Sequence, residues 1–239
     1  MPSVSAVPEK QRCVLCSVNP ADSVEHVPPR SFFEPPYPNN LITVPSCALC
    51  NQGSHLDDDY LLAFLASLDT RGASPTLDLV RTRVTRGLHR PAFPGLRKQL
   101  QQAVEFRYER DPATGTGIAD AGIRPEPDRL TRVLQKQVRG LAYSLTSTPV
   151  RRSTFIQLER THNMQTQPPE FWEMWVKAAE YALRGQTGRV GDVFGYAYRE
   201  VKRSALAAVV RLEYYAIFSY VALVYRPDFA PPQRVVMPF

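Results

Sequence analysis

Four cysteines constrain this chain more than any other feature. Two residues lie between Cys13 and Cys16, and two between Cys47 and Cys50, and thirty residues separate the pairs. Two such knuckles can converge as four thiolates around one tetrahedral Zn²⁺, closing the intervening chain into a loop. The start, Met1 to Pro8, has neither a basic stretch nor a sustained apolar run, so no secretory signal is read and a cytoplasmic location is expected. In that reducing compartment thiols ligate metal in preference to pairing as disulfides. The longest apolar stretch, Ala205 to Tyr225, carries Arg211 and Glu213. It lacks the uninterrupted run a membrane span requires, so no membrane partner is expected.

Charge divides the 239 residues unevenly. Residues 1–70 hold three Lys/Arg against eight Asp/Glu, whereas residues 71–239 hold 26 against 15, for a net charge of +6. A carboxylate-rich part that can hold divalent metal, joined to a basic part that can hold phosphates, fits a nucleic-acid enzyme better than a sugar or amino-acid enzyme.

The pattern predicts an α+β chain: an N-terminal zinc-bound module over residues 1–70, then a basic domain of helices and antiparallel strands over 71–239. Residues 1–12 are expected to be loosely laid down. Short strands are predicted at Ser23 to Val27 and at Leu41 to Val44, separated by a loop that Pro28, Pro29, Pro35, Pro36 and Pro38 keep irregular. A helix is expected from Cys47 onward, weakened at Gly53, and Asp57, Asp58 and Asp59 favour the start of another. Thr70 to Pro75 breaks the pattern. Helices are then predicted over Leu77 to Leu88 and Leu96 to about Val104, and a strand pair near Phe106 and Gly117 to Ile123. Asp128 to Leu145 is a further helix on which Arg129, Arg132, Lys136 and Arg139 are spaced to share one cationic stripe. Such a stripe can track a phosphate backbone or be a solvated face. Phe171 to Leu183 is another helix, and beyond Gly185 the period of two predicts two or three antiparallel strands.

Within the loop between the knuckles lie Val24-Glu25-His26-Val27-Pro28-Pro29 and Asn39-Asn40-Leu41, and Asn51 follows the last cysteine directly. This ordered set resembles the HNH nucleases, in which two strands and a helix surround a metal; the likeness covers residues 13 to about 60. Glu25 and His26 look like the first motif, which implies that Glu25 binds a catalytic divalent ion, Mg²⁺ or Mn²⁺, and that His26 is the general base. Asn40 looks like the middle asparagine that braces the histidine loop, and Asn51 occupies the position of the second metal ligand. Cys13, Cys16, Cys47 and Cys50 match the structural zinc of many members. Ser54 to Tyr60 resembles the continuation in bacterial members with a longer C-terminal region. Glu25 departs from the commoner Asp, and Asn39 is an alternative to Asn40.

Chemistry gives the same residues independent meaning. A neutral imidazole is a natural base near pH 7, and a carboxylate is an oxygen donor for a hard divalent ion. Adjacent strand residues point to opposite faces, so Glu25 and His26 need a twist or bulge to converge. His55, four residues after Asn51, would share its face on an unbroken helix and could be a further ligand. Arg30 is placed to contact a phosphate. The expectation is therefore a metal-dependent endonuclease acting on nucleic acid, DNA in preference to RNA, with a homo-oligomer left open. Two alternatives remain at this point. One is a non-catalytic zinc-ribbon nucleic-acid-binding protein, and the other a nuclease effector of toxin or phage-defence type controlled by its C-terminal part.

Overall fold

A computed structural model describes residues 11–67, 74–88, 98, 102–110, 115, 117–123, 125–161, 170–202, 204–216, 218–227 and 229; for 87–88, 104–110, 118–123, 161 and 170–174 it describes the backbone alone. The architecture is α+β. β1 (Ser23–Val27) pairs antiparallel with β2 (Ile42–Ser46) in an unbroken register from Ser23↔Ser46 to Val27↔Ile42. Helices α1 (Ala48–Gly53) and α2 (His55–Ser67) follow, parted at Ser54, the C-cap of α1. The break lies where Gly53 weakens helix propensity. Strand, loop, strand, helix is thus the observed order. Arg12 forms a bridge with Pro20, so the chain is already ordered at Arg12; residues 1–10 lie outside the described set.

After α3 (Pro75–Leu88) come the antiparallel strands β3 (Val104–Arg110) and β4 (Gly117–Ile123), then the long helix α4 (Pro127–Thr146). The expected helix near residues 96–104 falls largely outside the described residues. Pro127 at the first turn of α4 suits a position whose N–H would have no helical partner, and Ser147, with φ 54°, closes the far end.

The remaining elements are β5 (Ile156–Thr161), α5 (Glu170–Leu183), β6 (Gln186–Val190), β7 (Phe194–Glu200), β8 (Leu206–Tyr214) and β9 (Phe218–Tyr225). They build an antiparallel sheet in the order β5-β9-β8-β7-β6; four of its strands lie beyond Gly185, one more than the largest number expected there, and β5 joins them from earlier in the chain. One face, with Val210, Leu212, Tyr214, Tyr220 and Ala222, joins the cluster that contains α2 and α4. The other face, with Ala197, Val209, Val221 and Leu223, packs on Trp175 and Ala182 of α5. Burial on both faces explains why β8 and β9 read as a nearly continuous apolar run. The aromatic Trp175 is core, as expected; the Trp172 side chain lies outside the described set.

The main hydrophobic cluster crosses the boundary expected at residue 70. Val27, Phe32, Val44 and Leu61 share it with Leu77, Leu130, Val138 and Tyr214. Direct bonds cross it too: Tyr215 Oη donates to the Phe32 carbonyl at 2.9 Å, and the Arg83 guanidinium donates to the Phe33 carbonyl at 3.2 Å. The two parts therefore share a core. Among the described residues no helix is long and apolar enough to cross a membrane.

Candidate functional site

The four thiols converge. One Sγ from each of Cys13, Cys16, Cys47 and Cys50 lies within 4.8 Å of the others, and Cys16 and Cys47 are 4.0 Å apart. Sulfurs on a tetrahedral zinc with bonds near 2.3 Å sit about 3.8 Å apart, so this cluster could hold a metal and suits zinc. Local backbone bonds shape it. The Cys13 N–H donates to the Asn19 carbonyl at 2.8 Å, Ser17 turns the first knuckle at φ 59°, and the Asp22 carboxylate accepts the Ala48 N–H at the start of α1 at 2.7 Å. Burial opposes ionisation of Cys47, but hydrogen bonds from the Asn19 amide, from the Cys50 backbone and from the Cys50 and Cys13 side chains outweigh it, bringing the thiol down to about 7. Burial and the neighbouring thiols push Cys50 the other way. A divalent cation relieves that conflict, since it favours all four thiolates together.

Glu25 and His26 diverge. The register of β1 has no bulge, so Glu25 and Val27 face inward while Val24 and His26 face outward. Burial, and then the positive charge of Arg30, hold the half-buried His26 imidazole below its ordinary value. That shift favours the neutral imidazole near pH 7. The exposed Arg30 guanidinium lies 4.0 Å from the Tyr37 ring centre.

Inward, Glu25 is 4% exposed and meets a cation from the C-terminal part of the chain. Lys136 Nζ lies 3.3 Å from Glu25 Oε1, 2.6 Å from Asp58 Oδ2 and 2.9 Å from Ser54 Oγ. Burial raises Glu25 to about 7, against the opposing pull of Lys136 and with the help of Asp58; burial likewise raises Asp58. Two buried oxygens, Glu25 Oε2 and Asp58 Oδ1, have no hydrogen-bond partner among the described residues. The acid run of Asp57, Asp58 and Asp59 reads from sequence as a helix start in preference to a metal role; the place of Asp58 beside Glu25 is not readable there. The acidic run 57–59 was the one available signal, and it also marks an ordinary helix start.

The remaining candidates separate. Asn51 Nδ2 donates to Ser23 Oγ at 2.6 Å and to the Val24 carbonyl at 3.0 Å, tying α1 to β1. Asn40 Nδ2 donates to the Arg189 carbonyl at 2.8 Å, fastening the proline loop to β6; the bond expected was one bracing the loop of His26. His55 is exposed beyond the break at Ser54, with Nδ1 against the Gln52 carbonyl, and does not share a continuous helix with Asn51.

The cationic stripe on α4 is not an open surface. Arg129 pairs with Asp57 at 2.7 Å and lies over Tyr60, Lys136 is buried as above, and Arg139 donates to the carbonyls of Val150, Arg151, Arg152 and Thr154. Of the four, Arg132 is the exposed member, and it too reaches Asp57, at 3.0 Å. The physical reason is that α4 packs between the hairpin and the sheet, so Arg129, Arg132 and Lys136 meet acids of the first 60 residues while Arg139 meets the carbonyls that follow the helix.

A scan of protein-family models finds no match to this chain, and searches of curated proteins and of solved structures find none either.

Proposed function

We propose that the chain is a metal-dependent nuclease of HNH type, hydrolysing phosphodiester bonds of nucleic acid, DNA in preference to RNA. The observation that carries this reading is His26: a half-buried imidazole on the hairpin between the two cysteine knuckles, where burial and the charge of Arg30 favour its neutral form. In this reading His26 takes a proton from the attacking water, and Arg30 offers its planar donor fork to a phosphate. The four thiolates hold a structural zinc that fixes the start of β1 and the N-terminus of α1.

The donor set inward of β1 suits a hard cation, because Glu25 Oε2 and Asp58 Oδ1 are oxygens with no hydrogen-bond donor. Glu25 and Asp58 would hold Mg²⁺ or Mn²⁺, with Ser54 Oγ beside them; Asn51, which ties α1 to β1, and His55 are left out. When bound, such an ion supplies positive charge for the phosphate oxygens and the departing oxygen. The test is cleavage of plasmid DNA and of RNA by the zinc-loaded protein with Mg²⁺ or Mn²⁺. His26→Ala is expected to slow cleavage by about 10² or more, and undiminished cutting removes His26 from the reaction.

One observation favours a second reading. Glu25 and His26 face opposite sides of the hairpin, and Lys136 already neutralises Glu25. A zinc-ribbon binding protein without catalysis accounts for both facts. Salt-sensitive nucleic-acid binding with no cleavage in any divalent metal would select it.

A further inference from the structure

We infer that Lys136 is a tethered cation standing in a divalent-cation site formed by Glu25, Asp58 and Ser54, and that Mg²⁺ or Mn²⁺ competes with its ammonium for that place. Three oxygens from three stretches of chain surround the nitrogen: Glu25 on β1, Ser54 at the break between α1 and α2, and Asp58 on α2. An ammonium has three protons to donate, and these three contacts use them. Nothing is left for Glu25 Oε2 and Asp58 Oδ1, which stay buried and unpartnered. One positive charge faces two carboxylates, so the ammonium satisfies neither the charge nor the oxygens of the cluster.

A divalent ion corrects both shortfalls. Its charge matches two carboxylates, and about six coordination places accommodate further carboxylate oxygens and waters. All the donors are hard oxygens, the class Mg²⁺ and Mn²⁺ prefer, in contrast to the thiols of the cysteine cluster. The present nitrogen–oxygen distances of 2.6 to 3.3 Å exceed the roughly 2.1 Å that Mg²⁺ requires, so the oxygens would close in by about 0.5 to 1.2 Å. Lys136 carries its charge on a flexible four-carbon stem and can withdraw.

Lys136 lies on α4, beyond residue 71, whereas the oxygens lie in the first 58 residues. The later region therefore reaches into the earlier one and sets how readily a metal enters beside the hairpin. The site itself does not depend on the nuclease reading; its bearing on cleavage does rest on that reading.

The experiment is Mn²⁺ titration of zinc-loaded full-length protein, with free Mn²⁺ counted by its paramagnetic resonance signal, for wild type, Lys136→Met and Lys136→Met with Glu25→Gln. Lys136→Met is expected to bind one Mn²⁺ per chain at least tenfold more tightly than wild type, and the added Glu25→Gln to abolish that gain. Should Lys136→Met fold only when refolded with Mn²⁺, that is the same result in stronger form. A Lys136→Met chain that gains nothing from Mn²⁺, in affinity or in recovery of the folded state, overturns the inference. DNA cleavage run in parallel separates the two claims. A chain that never cuts yet shows the Mn²⁺ difference defeats only the nuclease reading, and a cutting wild type with unchanged Mn²⁺ affinity in Lys136→Met defeats only this one.

Discussion

The cysteine cluster and the Glu25–Asp58–Lys136 cluster flank the same hairpin, but they are held together by different means. The thiols are brought together by two tight turns and a two-stranded pairing, all within residues 13–50, so their geometry is local. Lys136 reaches Glu25 across 111 residues of sequence because α4 presses on the hairpin. Gly140, one turn beyond Lys136, permits a close approach, for a Cβ there would meet Val27 Cγ2 at 2.6 Å. The first cluster needs only knuckle turns and a hairpin; the second needs the whole fold. Their chemistry differs in parallel, soft sulfur against hard oxygen.

That contrast can be broken most forcefully at Lys136. Lys136→Met without added metal leaves two carboxylates buried beside each other and is expected to cost about 3 to 5 kcal/mol, read by urea denaturation at pH 7.5. A loss well under 1 kcal/mol would mean that water, and not Lys136, balances Glu25.

Next in size is the pH dependence. Glu25 titrates at about 7 in the folded chain, above its ordinary 4.5. Between those values the folded state binds the proton more readily than the unfolded state, so the contribution of Glu25 to stability is full below pH 4.5 and lost as pH rises through 7. The decline is on the order of 3 kcal/mol. Denaturation curves from pH 4.5 to 8 should show it in wild type and not in Glu25→Gln; equal slopes would place Glu25 in water.

A smaller effect is expected at the helix-hairpin contact. Gly140→Ala drives a methyl into Val27, costing about 1 to 3 kcal/mol of packing, partly offset by about 1 kcal/mol of helix propensity. A net loss of melting temperature is the expected readout. A gain would show that α4 has room to spare and that Lys136 is not fixed by this contact.

The smallest is Arg132→Ala, one turn before Lys136. Arg132 is 62% exposed and pairs with Asp57 at the surface, so the loss should stay below about 1 kcal/mol and shrink further in salt. A cost equal to that of Lys136→Met would erase the distinction between surface and buried members of the same helix.

These differences explain what could be read from the chain beforehand. The hairpin strands, the knuckles, α3, α4 and α5 follow from periodicity, capping and turn residues, which act over a few residues. The spacing of Arg129, Arg132, Lys136 and Arg139 was legible as a stripe, but which side of it would be buried was not. That depended on Asp57, Asp58 and Glu25 arriving from elsewhere, and no local signal pairs groups 72 to 111 residues apart. β5 escaped notice because Ile156 to Thr161 alternates with the charged Glu159 and Arg160 and becomes a strand only beside β9. Asn40 shows the same limit, since its bond to Arg189 depends on where β6 lies.

The most direct measurement of the two-cluster account is the metal content of the purified wild-type chain after exhaustive dialysis. One zinc per chain, lost in Cys47→Ala, and no second retained ion are expected, because four thiols hold the first and Lys136 stands where a second would bind. A chain that retains no zinc, or one that keeps a tightly bound second ion with Lys136 intact, would contradict it.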